Sequence, residues 1–348
     1  MGIFPPIIAP LIVLLATALS TCGLTWIVLR ALKHRQILDH PNERSSHEAP
    51  TPRGGGIAVI AVLVVAAMAI GIVAGPAAPS GLWRVLGAAA ALACLSWLDD
   101  LRSLGALLRL AVQLAAVALG LSALAEHRFV FQGLLPFWGD RVVAGLLWLW
   151  FVNLFNFMDG IDGIAGAETV AIGLGLYLLV LVGVLPPPLG LIALAGVGAA
   201  LGFLWWNWQP ARVFLGDVGS VPLGYLLGWL LIAAATAGAW AAALLLPAYY
   251  LADATLTLLR RAMRGAAVWR AHREHFYQRA VQGGLSHAQT VRLIVAGNAP
   301  LIGLAVIAES EASWRWPALA AGALVVLLVL FLLNGSSARG SARRAPRS

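Results

Sequence analysis

Apolar stretches of about 20 residues follow one another from end to end of this 348-residue chain, each long enough to cross roughly 30 Å of hydrocarbon. The stretches are continuously apolar and do not alternate in short strands, which predicts helices and argues against a barrel. With 61% hydrophobic and 11% charged residues and a mean hydropathy of +0.87, a soluble domain is excluded. The spans read as 7–29, 54–75, 82–98, 106–125, 142–158, 169–185, 189–206, 219–237, 239–259, 290–308 and 316–333. The expected fold is therefore an all-α polytopic membrane protein with about 11 transmembrane helices. Pro247 predicts a kink inside the ninth span. The first run follows MGIFPP, which lacks a basic segment, so it reads as a retained span. Cys22 and Cys94 lie within apolar runs and make neither a disulfide framework nor a metal spacing, so packing is expected of both.

Charge sets the topology. Segments 30–53, 99–109, 207–218, 260–292 and 334–348 share one side and carry 19 of the 23 Lys and Arg residues; Arg84, Arg128, Arg141 and Arg315 are the rest. By the positive-inside rule that side is cytoplasmic, with the N-terminus outside and the C-terminus inside. The pI near 10.5 then reflects orientation and attraction to anionic lipid headgroups, and no nucleic acid is called for. On the other side, segment 126–141 has room for a short interfacial hairpin with aromatic anchors. The small, basic tail 334–348 is expected to be disordered.

The same topology puts five aspartates on the cytoplasmic side, although only Lys and Arg entered the counting. They fall in three motifs: WLDDLRSLGALLRLAVQ with Asp99 and Asp100, FVNLFNFMDGIDGIAG with Asp159 and Asp162, and RVFLGDVGSVPLG with Asp217. Carboxylates gathered against lipid are costly unless they hold a cation, and a divalent metal shared with phosphates fits them. Asp99 and Asp100 stand at a helix C-terminus, where the dipole disfavours negative charge. Adjacent side chains there diverge by about 100°, so one can bind metal while the other faces substrate. Asn153, Asn156, Asp159 and Asp162 recur every third residue and keep to one helical stripe. An interhelical hydrogen-bond stripe is the plainer alternative. Asp217, flanked by glycine, would pass in isolation for a helix cap. Asp253, inside the ninth span, reads as a supporting residue and not a reacting one.

Basic residues surround these acids. The first loop offers Lys33, Arg44, Ser45, His47, Arg53 and the run Gly54, Gly55, Gly56. Free amides at a glycine-rich helix start suit phosphate, and close helix packing is the equal alternative. The last large loop carries Arg260, Arg261, Arg264, Arg270, His272, Arg273, His275, Tyr277, Gln278 and Arg279. That many guanidinium groups beside acids suggest recognition of a diphosphate or lipid phosphate.

In this order the motifs resemble the polyprenyl-phosphate N-acetylhexosamine-1-phosphate transferases, glycosyltransferase family 4, related to the phospho-MurNAc-pentapeptide translocase. The resemblance runs from the first loop to residue 288. It implies Asp99, Asp100, Asp159 and Asp162 as catalytic acids, with Asp217 and Asp100 on Mg²⁺, or Mn²⁺ in its place. It also implies substrate contacts from Lys33, Asn153, Asn156 and His275, to which the charge of the last loop adds Arg264 and Arg279. Where many members carry His-x-His-His, this chain reads His275, Phe276, Tyr277, Gln278, a form similar to the O-antigen-initiating branch. The implied reaction is attack of undecaprenyl phosphate on the β-phosphorus of a UDP-N-acetylhexosamine, releasing UMP; the sugar is GlcNAc or a 6-deoxy relative such as FucNAc or QuiNAc. The implied setting is the bacterial inner membrane, with a periplasmic N-terminus and the active site facing the cytoplasm. Residues 1–333 would form one transferase domain with catalytic loops 30–53, 99–109, 159–168, 207–218 and 260–289. Partners would be the UDP-sugar, undecaprenyl phosphate and the lipid bilayer, with a homodimer left open. The alternative is a secondary transporter with an acidic ion site. It would place its acids near mid-membrane within repeats, and neither feature is legible in this chain.

Overall fold

The computed structural model describes residues 8–41, 49–124, 128–266 and 272–344. It is helical nearly throughout. In order come α1 (Ile8–His34), β1 (Leu38–Asp39), β2 (Thr51–Pro52), α2 (Gly56–Ala74), α3 (Leu82–Arg102), α4 (Ala106–Leu121) and α5 (Phe137–Met158). There follow α6 (Ile164–Leu181), α7 (Pro187–Asn207), α8 (Asp217–Thr236), α9 (Trp240–Leu245), α10 (Ala248–Met263), α11 (Phe276–Gln282), α12 (His287–Ser310) and α13 (Arg315–Arg344).

Each of the eleven apolar runs falls on helix, but they are not equal. Among the described residues, nine helices are long and apolar enough to cross a membrane. The two runs left over depart for separate reasons. Helix α4 has 16 residues, about 24 Å at 1.5 Å per residue, short of the hydrocarbon thickness. The run 239–259 is broken where Pro247 caps α10, giving α9 and α10 in place of one kinked helix. Helix α5 starts at Phe137, earlier than the apolar run suggests. Buried Asp140 in its first turn accepts the backbone N–H of Val130 at 3.1 Å and of Phe131 at 2.9 Å, which draws the preceding turn onto the helix. The tail departs as well, for α13 carries helix on to Arg344 across most of 334–348. Cys22 and Cys94 are free, and Cys94 is exposed and not packed inside.

Helix α8 is the axis of the bundle, buried over nearly its whole length between α3 and α5 with α2 and α9 beside it. Its sequence permits this, because Asp217 at its first position is its one charged residue. Buried Asn298 of α12 donates to Glu168 of α6 at 2.7 Å and ties the outer layer to the inner one.

Where α2 meets α8 the backbones touch. A Cβ on Gly56 would lie 2.2 Å from Gly219 Cα, and one on Gly219 would lie 2.7 Å from Gly56 Cα. Hydrogen bonds continue the contact: Gly54 and Gly55 N–H donate to Phe214 O at 3.1 and 2.8 Å, and Gly56 N–H to Leu215 O at 2.8 Å. The glycine run is thus a packing device, and its amides are not free to cradle phosphate. Antiparallel pairing of β1 with β2 and a parallel bridge from Arg53 to Phe214 complete this zip. Gly56→Ala is expected to cost about 1–3 kcal/mol by overpacking in thermal melts of detergent-solubilised protein. Gly87→Ala, whose Cβ meets nothing within 4 Å, should melt like the native chain.

Candidate active site

Four helix ends and one strand meet at a single end of the bundle. Asp99 and Asp100 close α3, Asp159 caps α5, Asp162 precedes α6, Asp217 opens α8, and Arg53 follows β2. The zip described above delivers Arg53 to Asp217.

Asp100 and Asp217 form the centre. The Asp100 carboxylate accepts the backbone N–H of Asp217 at 3.2 Å and of Val218 at 3.0 Å. Asp100 therefore caps α8 from another helix, where the dipole favours an anion. Arg53 Nη2 lies 2.8 Å from Asp100 Oδ1 and 2.7 Å from Asp217 Oδ1. Asn156 Nδ2 donates to Asp217 Oδ1 at 3.2 Å and to Ser220 Oγ at 2.8 Å. Asn153, a turn deeper, donates to Gln113 Oε1 at 2.9 Å, so both asparagines make interhelical hydrogen bonds and that of Asn156 reaches the acids.

The aspartates of the NFMDGIDG turn complete the cluster. Burial, reinforced by the charge of Asp217, pushes the Asp159 carboxyl up to about 7, with Asp162 and Asp100 adding to the effect against Arg53. Asp162 accepts the backbone N–H of Ala211 at 3.0 Å, and His287 Nδ1 lies 3.3 Å from its Oδ1. Asn207 receives the Gly163 N–H at 2.9 Å and donates to Val213 O at 2.9 Å, fastening this turn to the segment that leads into Asp217.

Asp99 turns the other way, as adjacent positions on a helix require. Its Oδ1 accepts Leu104 N–H at 2.6 Å and its Oδ2 pairs with Arg109 at 3.0 Å, which shapes the α3–α4 connection.

The basic positions divide similarly. Lys33 is exposed in the last turn of α1, and Arg264 is exposed at the end of α10, 3.8 Å from Glu274. Arg261 pairs with the same Glu274. Arg44, Ser45, His47 and Arg270 lie outside the described residues. Arg279 is partly exposed on α11, whereas His275 is buried and joined through Nδ1 to Asp253 Oδ1 at 3.2 Å. Asp253 is fully buried and also accepts Tyr249 OH at 2.9 Å, Thr257 Oγ1 at 3.2 Å, Phe276 N–H at 3.0 Å and Tyr277 N–H at 3.2 Å. The supporting role expected of it is what it has: it holds the start of α11. That helix leans on the acidic turn, since Tyr277 OH donates to Phe157 O at 3.1 Å and a Cβ on Gly160 would stand 2.2 Å from that hydroxyl. His275, Phe276, Tyr277 and Gln278 are all buried, so this segment packs the loop in place.

Among the described residues, no three carboxylate, imidazole or thiol groups close around one point. Magnesium does not need that, because it binds through one or two carboxylates plus substrate phosphates and water. Asp100 Oδ1 and Asp217 Oδ1 already face one shared cationic atom. Burial is the first cause of the elevated Asp159, and the charges of Asp217, Asp162 and Asp100 raise it further against Arg53. The donor set therefore fits a hard divalent ion on Asp217 and Asp100.

Arg53 in its acid-bridging position, Ser220, Asn207 and His287 are the members that sequence reading did not place. Asn207 sits in NWQP at a helix end and His287 in GLSH before another, where a polar residue breaking an apolar pattern is the signal.

Comparison with known proteins gives a consistent picture. Residues 82–235 match the model described as glycosyl transferase family 4. A Bacillus subtilis (strain 168) protein named "probable undecaprenyl-phosphate N-acetylglucosaminyl 1-phosphate transferase" is 28% identical over 320 residues, covering 86% of this chain and 85% of that one. The decaprenyl-phosphate N-acetylglucosaminephosphotransferase of Mycobacterium leprae (strain TN) is 29% identical over 326 residues, 80% of this chain and 79% of its own. The phospho-N-acetylmuramoyl-pentapeptide-transferase of Corynebacterium jeikeium (strain K411) is 34% identical over 239 residues, 53% and 65% respectively.

Asp253→Ala strands several buried donors, a loss of about 3–5 kcal/mol by analogy with broken buried pairs. Trypsin should then cut within 260–279 much faster than in the native chain, and native cleavage kinetics would remove the clasp assigned to Asp253.

Proposed function

We propose, from the match of residues 82–235 to glycosyl transferase family 4, that this chain transfers a sugar 1-phosphate from a UDP-N-acetylhexosamine to undecaprenyl phosphate, releasing UMP. The observation that carries this is the Asp100–Arg53–Asp217 centre, with Asn156, Asp159 and Asp162 around it at one end of a membrane bundle. A membrane-embedded acceptor and a water-soluble nucleotide can meet only at such an end. The convergence of the basic loops there supports a cytoplasmic orientation in a bacterial inner membrane.

A phosphate monoester has a second pKa near 6, so the lipid nucleophile is largely dianionic at neutral pH. A base is thus not required to create it, even though Asp159 titrates close to neutrality. The difficulty is bringing two polyanions together. A divalent ion on Asp217 and Asp100 would supply charge neutralisation and alignment of the phosphates. Asp100 keeps its orientation through the α8 amides, and Asn156 fixes Asp217. Asp162 anchors the turn that presents Asp159. Arg279 and Arg264 are open enough to bind phosphate or lipid headgroup, whereas His275 acts through the loop it caps.

N-acetylglucosamine is the first donor to try, because two relatives carry it in their names; FucNAc and QuiNAc donors complete the panel, with O-antigen or another surface polysaccharide as the end product. Purified protein should release UMP from a UDP-N-acetylhexosamine only with undecaprenyl phosphate and Mg²⁺ present. Asp100→Asn and Asp217→Asn should each lower the rate on the order of 10²–10³-fold without loss of folding, and near-native turnover in both would remove their assignment. At pH 6.5, adding Mg²⁺ to weakly buffered protein should release protons as Asp159 ionises. Asp159→Asn should release fewer protons, the remainder coming from Asp100, which burial raises to about 6.

A further inference from the structure

Arg53 occupies the position that a metal would need. Its Nη2 is 2.8 Å from Asp100 Oδ1 and 2.7 Å from Asp217 Oδ1, whereas magnesium on those oxygens would stand about 2.0–2.1 Å from each. One pocket of negative charge cannot hold both, so guanidinium and metal compete. The backbone of Arg53 is fixed by its bridge to Phe214 and by the amides of Gly54 and Gly55 on Phe214 O. The side chain is not sealed in, with 35% of its surface exposed. It can therefore swing while its anchor stays in place.

We propose that Arg53 is a displaceable cation: it holds Asp100 and Asp217 together until a divalent ion takes their oxygens, and its guanidinium then turns onto the diphosphate of the nucleotide donor. The proposal rests on the transferase reading above and adds the residue that couples metal to donor. A displaced guanidinium remains beside the oxygens it has left, where the phosphates that share the metal must arrive. Its planar fork matches two phosphate oxygens at once, which a lysine ammonium cannot do. Asp159 interacts with its charge, and Asp39 also acts on it, which deepens the negative field from which it departs. The two ligands of the site should therefore respond to its loss in opposite directions. A residue that merely braces the fold would weaken both.

The test uses the full-length chain in nanodiscs, as Arg53→Gln and Arg53→Lys. Mn²⁺ binding is followed by electron paramagnetic resonance without substrate, and donor KM comes from UMP release. Arg53→Gln should bind Mn²⁺ several-fold tighter and raise the donor KM about tenfold. Arg53→Lys should keep native Mn²⁺ affinity, because the competing charge remains, yet raise KM. Unchanged or weaker Mn²⁺ binding in a folded Arg53→Gln overturns the proposal. If Arg53→Gln does not fold, Arg53→Lys decides alone, and a native KM in it overturns the proposal. Should the native protein release no UMP from any UDP-sugar, the transferase reading fails, while the Mn²⁺ titrations still report whether Arg53 competes with metal.

Discussion

The N-terminus of α8 has no side-chain cap of its own, because Gly216 supplies none and the first residue, Asp217, faces the cluster. Asp100, from the far end of α3, takes its amides. This one borrowed cap determines much else. It satisfies exposed N–H groups at the edge of hydrocarbon, where water is scarce and an unpaired amide is costly. It also forces two carboxylates to within reach of one cation. Arg53 answers that charge, and its backbone is in turn held by the segment leading into α8. Capping, charge and strand pairing thus close a single circuit in which no member holds position alone.

Helices were legible because their signal is length and apolarity, which lipid reads in the same way. Boundaries were less so. Phe137 begins a helix because Asp140 captures amides upstream, a contact that no hydropathy profile records. Pro247 was visible as a disruption, but whether a proline bends a helix or ends it depends on the packing around it. The five aspartates stood out because charge is rare here, and four of them converge. Asp99 does not join them, since neighbouring residues on a helix cannot face the same way.

The glycine run in the first loop and the histidine loop teach the same lesson from opposite sides. Three glycines beside basic residues suit an anion, yet their amides are used up by Phe214 and Leu215. His275 suits a substrate, yet its ring is committed to Asp253. Both motifs serve the site by fixing the distance between elements. Sequence marks the importance of such residues more readily than the level at which they act. Long-range partners such as Asn207 with Gly163, or His287 with Asp162, leave almost no local trace.

Pairing of Leu38 with Pro52 and of Asp39 with Thr51 brings together the two ends of the chain between them. Extra residues inserted there would add only loop-closure entropy, about 0.6 kcal/mol for each doubling in length. The registration of Arg53 against Phe214 would not change. The position of Arg53 is therefore mechanically insulated from the length of that stretch, and the clip formed by two very short strands is what provides the insulation.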